Sequence, residues 1–155
     1  LKHMSLQTKI EERLSQALKS KDKEIYSTLR LVVAAIKDAI IAKKIKEKNT
    51  LPDADLTSLL KKMVKQRNDS CEAYKKAGRD ELLAAETKEI EIISSFLPKQ
   101  LNDQETRKIC EDTVKSVGAS SIKDMGKVMG QLKKASNSDS LDFSKVSKII
   151  KEILK

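Results

Sequence analysis

Gly126 and Gly130 stand four residues apart in a run that otherwise favours helix. Lys123, Lys127, Lys133 and Lys134 surround them, and Lys145 and Lys148 follow. Glycine in a helix interior costs about 1 kcal/mol relative to alanine, and a spacing of four puts both glycines on one face. Such a bare strip of backbone allows close approach, either by a second helix crossing within the fold or by a phosphate–ribose chain. The lysines suit the second use. Ammonium groups hold phosphates by charge, giving an affinity that falls with salt and reads no sequence. These eight residues are the candidate RNA-binding set.

Other chemistries find less support. Glu86, Glu89 and Glu91 lie close on one helix, and paired carboxylates can do acid–base work. Solvation and pairing with Lys88 explain them more simply. Leu1-Lys2-His3 before Met4 reads as a vector remnant, which sets aside the only histidine and with it His-based triads, metal sites and proton transfer. There is no Cys-x-x-Cys, and Gly126-x-x-x-Gly130 lacks the preceding strand and following Lys-Ser/Thr of a phosphate loop. The expectation is a binding protein with no catalytic residues, metal or cofactor.

The composition agrees with a polyanion partner. The chain carries 32 Lys+Arg against 23 Asp+Glu, a net charge of +9, which bears on association rather than fold. The charge is patterned: residues 113–155 hold nine basic against four acidic side chains, and 43–67 hold eight against three, each +5. Residues 72–91 are mildly acidic. The few aromatics, Tyr26, Tyr74, Phe96 and Phe143, favour shape and backbone recognition over base stacking. Cys71 and Cys110 are far apart, as expected of small apolar residues on helices in a reducing cytosol. The longest apolar run, Leu29 to Ala42, is too short and too charged to span a bilayer.

The positioning elements are all helical. Leu6, Ile10, Leu14 and Leu18 recur at helical spacing over 5–19, and Asp22 is a candidate N-cap for a helix running to about Lys46. Asp53 or Asp55 can cap a third helix, which Ala77-Gly78 stops. A fourth, presenting Leu82, Leu83, Glu86, Ile90 and Ile93, runs from Asp80 to Phe96-Leu97-Pro98, where proline disfavours continuation. Asn102 with Glu105 forms a capping-box signature, Gly118 ends that helix, and Ser121 with Asp124 starts another to about Ala135. Asp142 or Ser144 opens the last. No segment alternates long enough to be a strand. The expected fold is all-α: an antiparallel bundle of about four helices over 5–97, then a three-helix domain over 98–155, with Pro98 as the hinge.

The ordered motifs resemble those of the YqeY-like proteins. Ser27-Thr28-Leu29-Arg30-Leu31 with Ala34-Ala35-Ile36-Lys37 resembles the family's N-terminal signature. Ala77 to Leu82, Glu86, Glu89 and the joint from Phe96 to Leu101 resemble its middle, and Asp124 to Gly130 its C-terminal signature. That family is similar to the C-terminal tail of the tRNA-contacting component of the glutamine-dependent aspartyl/glutamyl-tRNA amidotransferase, an enzyme whose catalytic sites lie outside that tail. The resemblance implies association with tRNA or another structured RNA, and a family-level link to carbon–nitrogen ligation with glutamine as amido donor. The family usually has a glycine near the loop before the last helix. Here the loop is Ala135 to Ser140, where Asn137 can supply a left-handed turn. A protein-interaction module, docking a partner enzyme through the apolar face of the last helix, is the alternative reading.

Overall fold

The computed structural model describes residues 4–44 and 49–155. The Leu1-Lys2-His3 segment lies outside the described residues. The described chain is helical, with no strand. Its contacts divide into two compact units, one ending at Leu97 and the other starting at Pro98.

The N-terminal unit is built from α1 (Leu6–Lys19), α2 (Lys23–Ala42), α3 (Asp53–Ala77) and α4 (Asp80–Ser94). Ser5 caps α1 by accepting from the Thr8 N–H, and Asp22 caps α2 by accepting from Ile25. Gly78 ends α3 at φ 67°, a left-handed conformation that costs glycine little. Ile10, Leu29, Val32, Ile36, Leu56, Leu60 and Ile93 form the core.

Long-range packing changed several expectations. Helix α2 stops at Ala42, and Lys44 turns left-handed at φ 54°. Ile40 is its last buried residue, so no packed face holds a further turn; Lys46, the expected end, lies outside the described residues. Leu18 is exposed and Ala17 buried instead, because the chain turns back tightly there, with Asp22 N–H donating to Ala17 O at 2.9 Å. Neither Asp53 nor Asp55 caps α3, whose N-cap is Pro52. Asp53 Oδ1 accepts from Leu6 N–H at 2.9 Å and so caps α1, while Asp55 pairs with Lys43 at 3.1 Å. On α4 only Ile93 is buried, and Leu82 is exposed. The far half of the α3–α4 hairpin reaches beyond the core and buries only Cys71.

Gln7 is the main buried polar residue of this unit. Its Oε1 accepts from the buried Leu51 N–H at 2.8 Å, and its Nε2 donates to Asn49 O at 3.2 Å and Glu11 Oε1 at 3.0 Å. Gln7→Ala strands the Leu51 donor. It is expected to cost about 1–3 kcal/mol, read as a lower denaturation midpoint at unchanged m-value; a change within error would refute this role.

The C-terminal unit comprises α5 (Asp103–Val117), a 3-10 turn (Ile122–Asp124), α6 (Met125–Lys134), a second 3-10 turn (Ser138–Ser140) and α7 (Phe143–Ile153). Asn102 and Glu105 form the reciprocal capping box, and Gly118 ends α5 at φ 67°. Ser121 and Asp124 form a second box, but it opens the 3-10 turn and α6 follows. Asp142 caps α7. The unit has its own core of Cys110, Val114, Val128, Leu132, Leu141, Val146 and Ile150. Asn137 does not adopt a left-handed turn: its φ is −97°, and the loop closes through the 3-10 turn.

The joint residues are anchored within this unit. Leu101 N–H donates to Ser140 O at 3.0 Å, and Gln100 Nε2 donates to Asp139 O at 2.9 Å. Across the α5–α7 seam Lys145 pairs with Asp103 at 2.8 Å and Arg107 pairs with Glu152.

Candidate nucleic-acid interface

Val128 and Leu132 turn one side of α6 into the core, with Met125 and Met129 packed against it. By helical spacing Gly126 and Gly130 lie on the far side. A Cβ built on either glycine would meet nothing within 4 Å. A helix crossing therefore does not account for them, and no internal close approach calls for glycine at either position. What the chain presents instead is a strip of uncovered helical backbone.

The α6 lysines border this strip. Lys127 precedes Gly130 by three residues, and Lys133 and Lys134 follow it by three and four, the spacings of neighbours on a helix surface. Lys123 stands three before Gly126, on the 3-10 turn. All four are exposed and make no ion pair among the described residues.

Lys145 and Lys148 belong to α7, so the basic set is drawn from the 3-10 turn, α6 and α7. Lys145 is committed to Asp103, and that hydrogen bond raises its pKa despite some desolvation. Lys148 is exposed.

Asp124 sets the start of the site. Its Oδ2 accepts from the backbone N–H groups of Ser120 at 2.9 Å and Ser121 at 3.3 Å. Those bonds, helped by the positive charge of Lys127, hold its carboxyl below the ordinary aspartate range. A depressed carboxyl contributes stability above its unfolded pKa and loses it as pH falls through the folded one. Asp124→Asn is thus expected to lower the stability of this unit at neutral pH, with the difference vanishing under acid. Parallel stability–pH curves would contradict it.

Beside α6, a notch of about 290 Å³ opens against α5. Ile109, Leu132 and Ala135 form its apolar side, and Asp112, Thr113, Ser116, Gln131 and Asn137 are the polar residues around it. The sequence reading missed this notch. The only signal for it was Gln131, four after Lys127 and three before Lys134.

Of the three carboxylates on α4, only Glu91 makes the expected pair with Lys88. Glu89 pairs with Arg67 at 3.1 Å, and Lys88 reaches Glu91 at 3.7 Å. Glu86 has a buried oxygen with no hydrogen-bond partner among the described residues, and desolvation, then Glu89, pushes its carboxyl up against the opposing pull of Arg67. Both cysteines are free and buried, and burial raises the Cys110 thiol pKa. Among the described residues no group of three His, Cys, Asp or Glu is placed to hold a metal ion, and no helix is long and apolar enough to cross a membrane. Three of the four aromatics are engaged: Arg30 covers the Tyr26 ring at 4.9 Å, and Phe96 and Phe143 pack against the two cores.

A protein-family model described as Yqey-like protein matches residues 7–154. An uncharacterized protein of Schizosaccharomyces pombe is 30% identical over 99 residues, covering 64% of this chain and 77% of its own. A Pyrenophora tritici-repentis protein named altered inheritance of mitochondria protein 41, mitochondrial, is 24% identical over 148 residues, covering 94% of this chain and 79% of its own. The protein of the same name in Candida glabrata is 31% identical over 88 residues, covering 57% and 47%.

Proposed function

The chain belongs to the YqeY-like family, and on that premise we propose that it is an RNA-binding accessory protein, with tRNA the leading class of partner. The carrying observation is the uncovered Gly126–Gly130 strip, required by no internal packing and bordered by lysines that make no ion pair among the described residues. A bare helical backbone lets a sugar–phosphate chain come close, and the lysines hold its phosphates. The resemblance to amidotransferase tails supports tRNA in particular, with glutamine-dependent ligation a relationship rather than a reaction of this chain. The two free, buried thiols suit action in a reducing compartment such as the cytosol.

The alternative, docking of a partner enzyme through α7, finds its surface already used. Val146, Ile149 and Ile150 face the unit's own core, and Lys145, Lys148 and Lys151 remain outside.

The test is titration of the full chain with tRNA at several salt concentrations. Lys127→Glu with Lys133→Glu is expected to weaken binding at least about tenfold and to reduce the log–log salt slope by roughly two. Unchanged affinity in the double variant would sink this surface. Copurification of a protein partner that survives nuclease, without measurable RNA affinity, would favour the alternative.

A further inference from the structure

The notch beside α6 carries a more specific reading, which rests on the RNA-binding proposal. We propose that it receives a single unstacked guanine base from the bound RNA. The apolar side chains of Ile109 and Ala135 can lie against the face of a base, with the buried Leu132 beneath them. Around them stand a carboxylate, Asp112, two amides, Gln131 and Asn137, and the hydroxyls of Ser116 and Thr113, the latter donating to Ile109 O at 2.8 Å. No hydrogen bond or ion pair within the described fold occupies the carboxylate or either amide.

The donor and acceptor types select the base. An ionised carboxylate only accepts, and guanine offers two adjacent donors, N1–H and the exocyclic amine, for a bidentate pair. Its O6 then accepts from an amide N–H of Gln131 or Asn137. Uracil has one ring N–H between two carbonyls, so Asp112 would face oxygen on either side of it. A phosphate is repelled by Asp112 and belongs with the lysines. Gln131 neighbours Lys127 and Lys134 on the surface of α6, positions about 5–6 Å apart at Cβ. That spacing allows one nucleotide to place its phosphate on a lysine and its base in the notch. Recognition here works through the base edge, which suits a chain with few free aromatics and an RNA whose loops or bulges can splay a base.

The experiment uses the full chain and hexameric oligouridylates carrying at one position guanosine, inosine, which lacks the exocyclic amine, or an abasic sugar. Binding is followed by fluorescence anisotropy. The guanosine hexamer is expected to bind about tenfold or more tighter than the abasic one, with inosine between them. Asp112→Asn and Gln131→Ala should each erase most of that difference and leave salt-dependent binding of the abasic hexamer intact. Equal affinity for all three hexamers in the wild type, with salt-dependent binding present, overturns the notch while the RNA-binding surface stands. Retained guanosine preference in Asp112→Asn also overturns it. No binding of any hexamer or of tRNA removes the RNA-binding reading and the notch with it.

Discussion

Ile150→Ala is expected to unfold the C-terminal unit while leaving the N-terminal core folded. Ile150 is fully buried, packed in a core whose other large members include Leu132, Leu141 and Val146. Removing its branched side chain forfeits the transfer free energy and leaves a cavity, at a cost of about 2–5 kcal/mol. A single core in a unit this small rarely supplies more than about 3–5 kcal/mol in all, so one truncation uses most of the stability. The α5–α7 ion pairs offer little compensation, since both bridges join exposed side chains. In an amide NMR spectrum, dispersed signals from 98–155 should collapse while those of the N-terminal core persist, and tRNA affinity should fall with them. Uniform loss across both units would mean that they fold as one. Loss of RNA binding with an intact C-terminal spectrum would separate binding from this core.

The second large effect has opposite signs in stability and binding. Gly126→Ala with Gly130→Ala is expected to stabilise the C-terminal unit by about 1–2 kcal/mol, raising its melting temperature by several degrees. Both glycines lie in α6 at negative φ, and an added methyl meets nothing within 4 Å. Alanine therefore gains helix propensity, partly by restricting the unfolded chain, without a steric penalty. The gain comes mainly from Gly130, because Gly126 lies in the first turn. The same two methyl groups cover the strip that the RNA backbone would approach, and tRNA affinity should drop about tenfold. Calorimetry and a binding titration on one preparation read both effects. A stabilised variant with wild-type affinity would mean that the glycines serve no close contact. A destabilised variant would mean that the helix surface is not as open as the structure shows.

Most helix starts and stops were legible in the sequence because they are local. The Asn102–Glu105 box, the Asp22 cap and the Gly78 and Gly118 stops each join groups within a few residues of one another. Where a cap came from far away the reading failed, as when Asp53 capped α1 across 47 residues of sequence. The N-terminal hairpins misled in the same manner: periodicity shows that Leu18 and Leu82 lie along apolar faces, but not whether another helix reaches them.

The candidate site divides along the same line. The sequence by itself determined an all-helical chain, a basic C-terminal part, and two glycines and three lysines spaced as neighbours on one helix, since helical periodicity alone places them. Only the tertiary structure decided that this glycine face looks outward, that Lys145 is held by Asp103, and that Gln131 meets Asp112 and Asn137 around a notch. The physical reason is that a helix's own hydrogen bonds fix which residues share a face, whereas burial of Val128 and Leu132 against α5 and α7 fixes which way that face points.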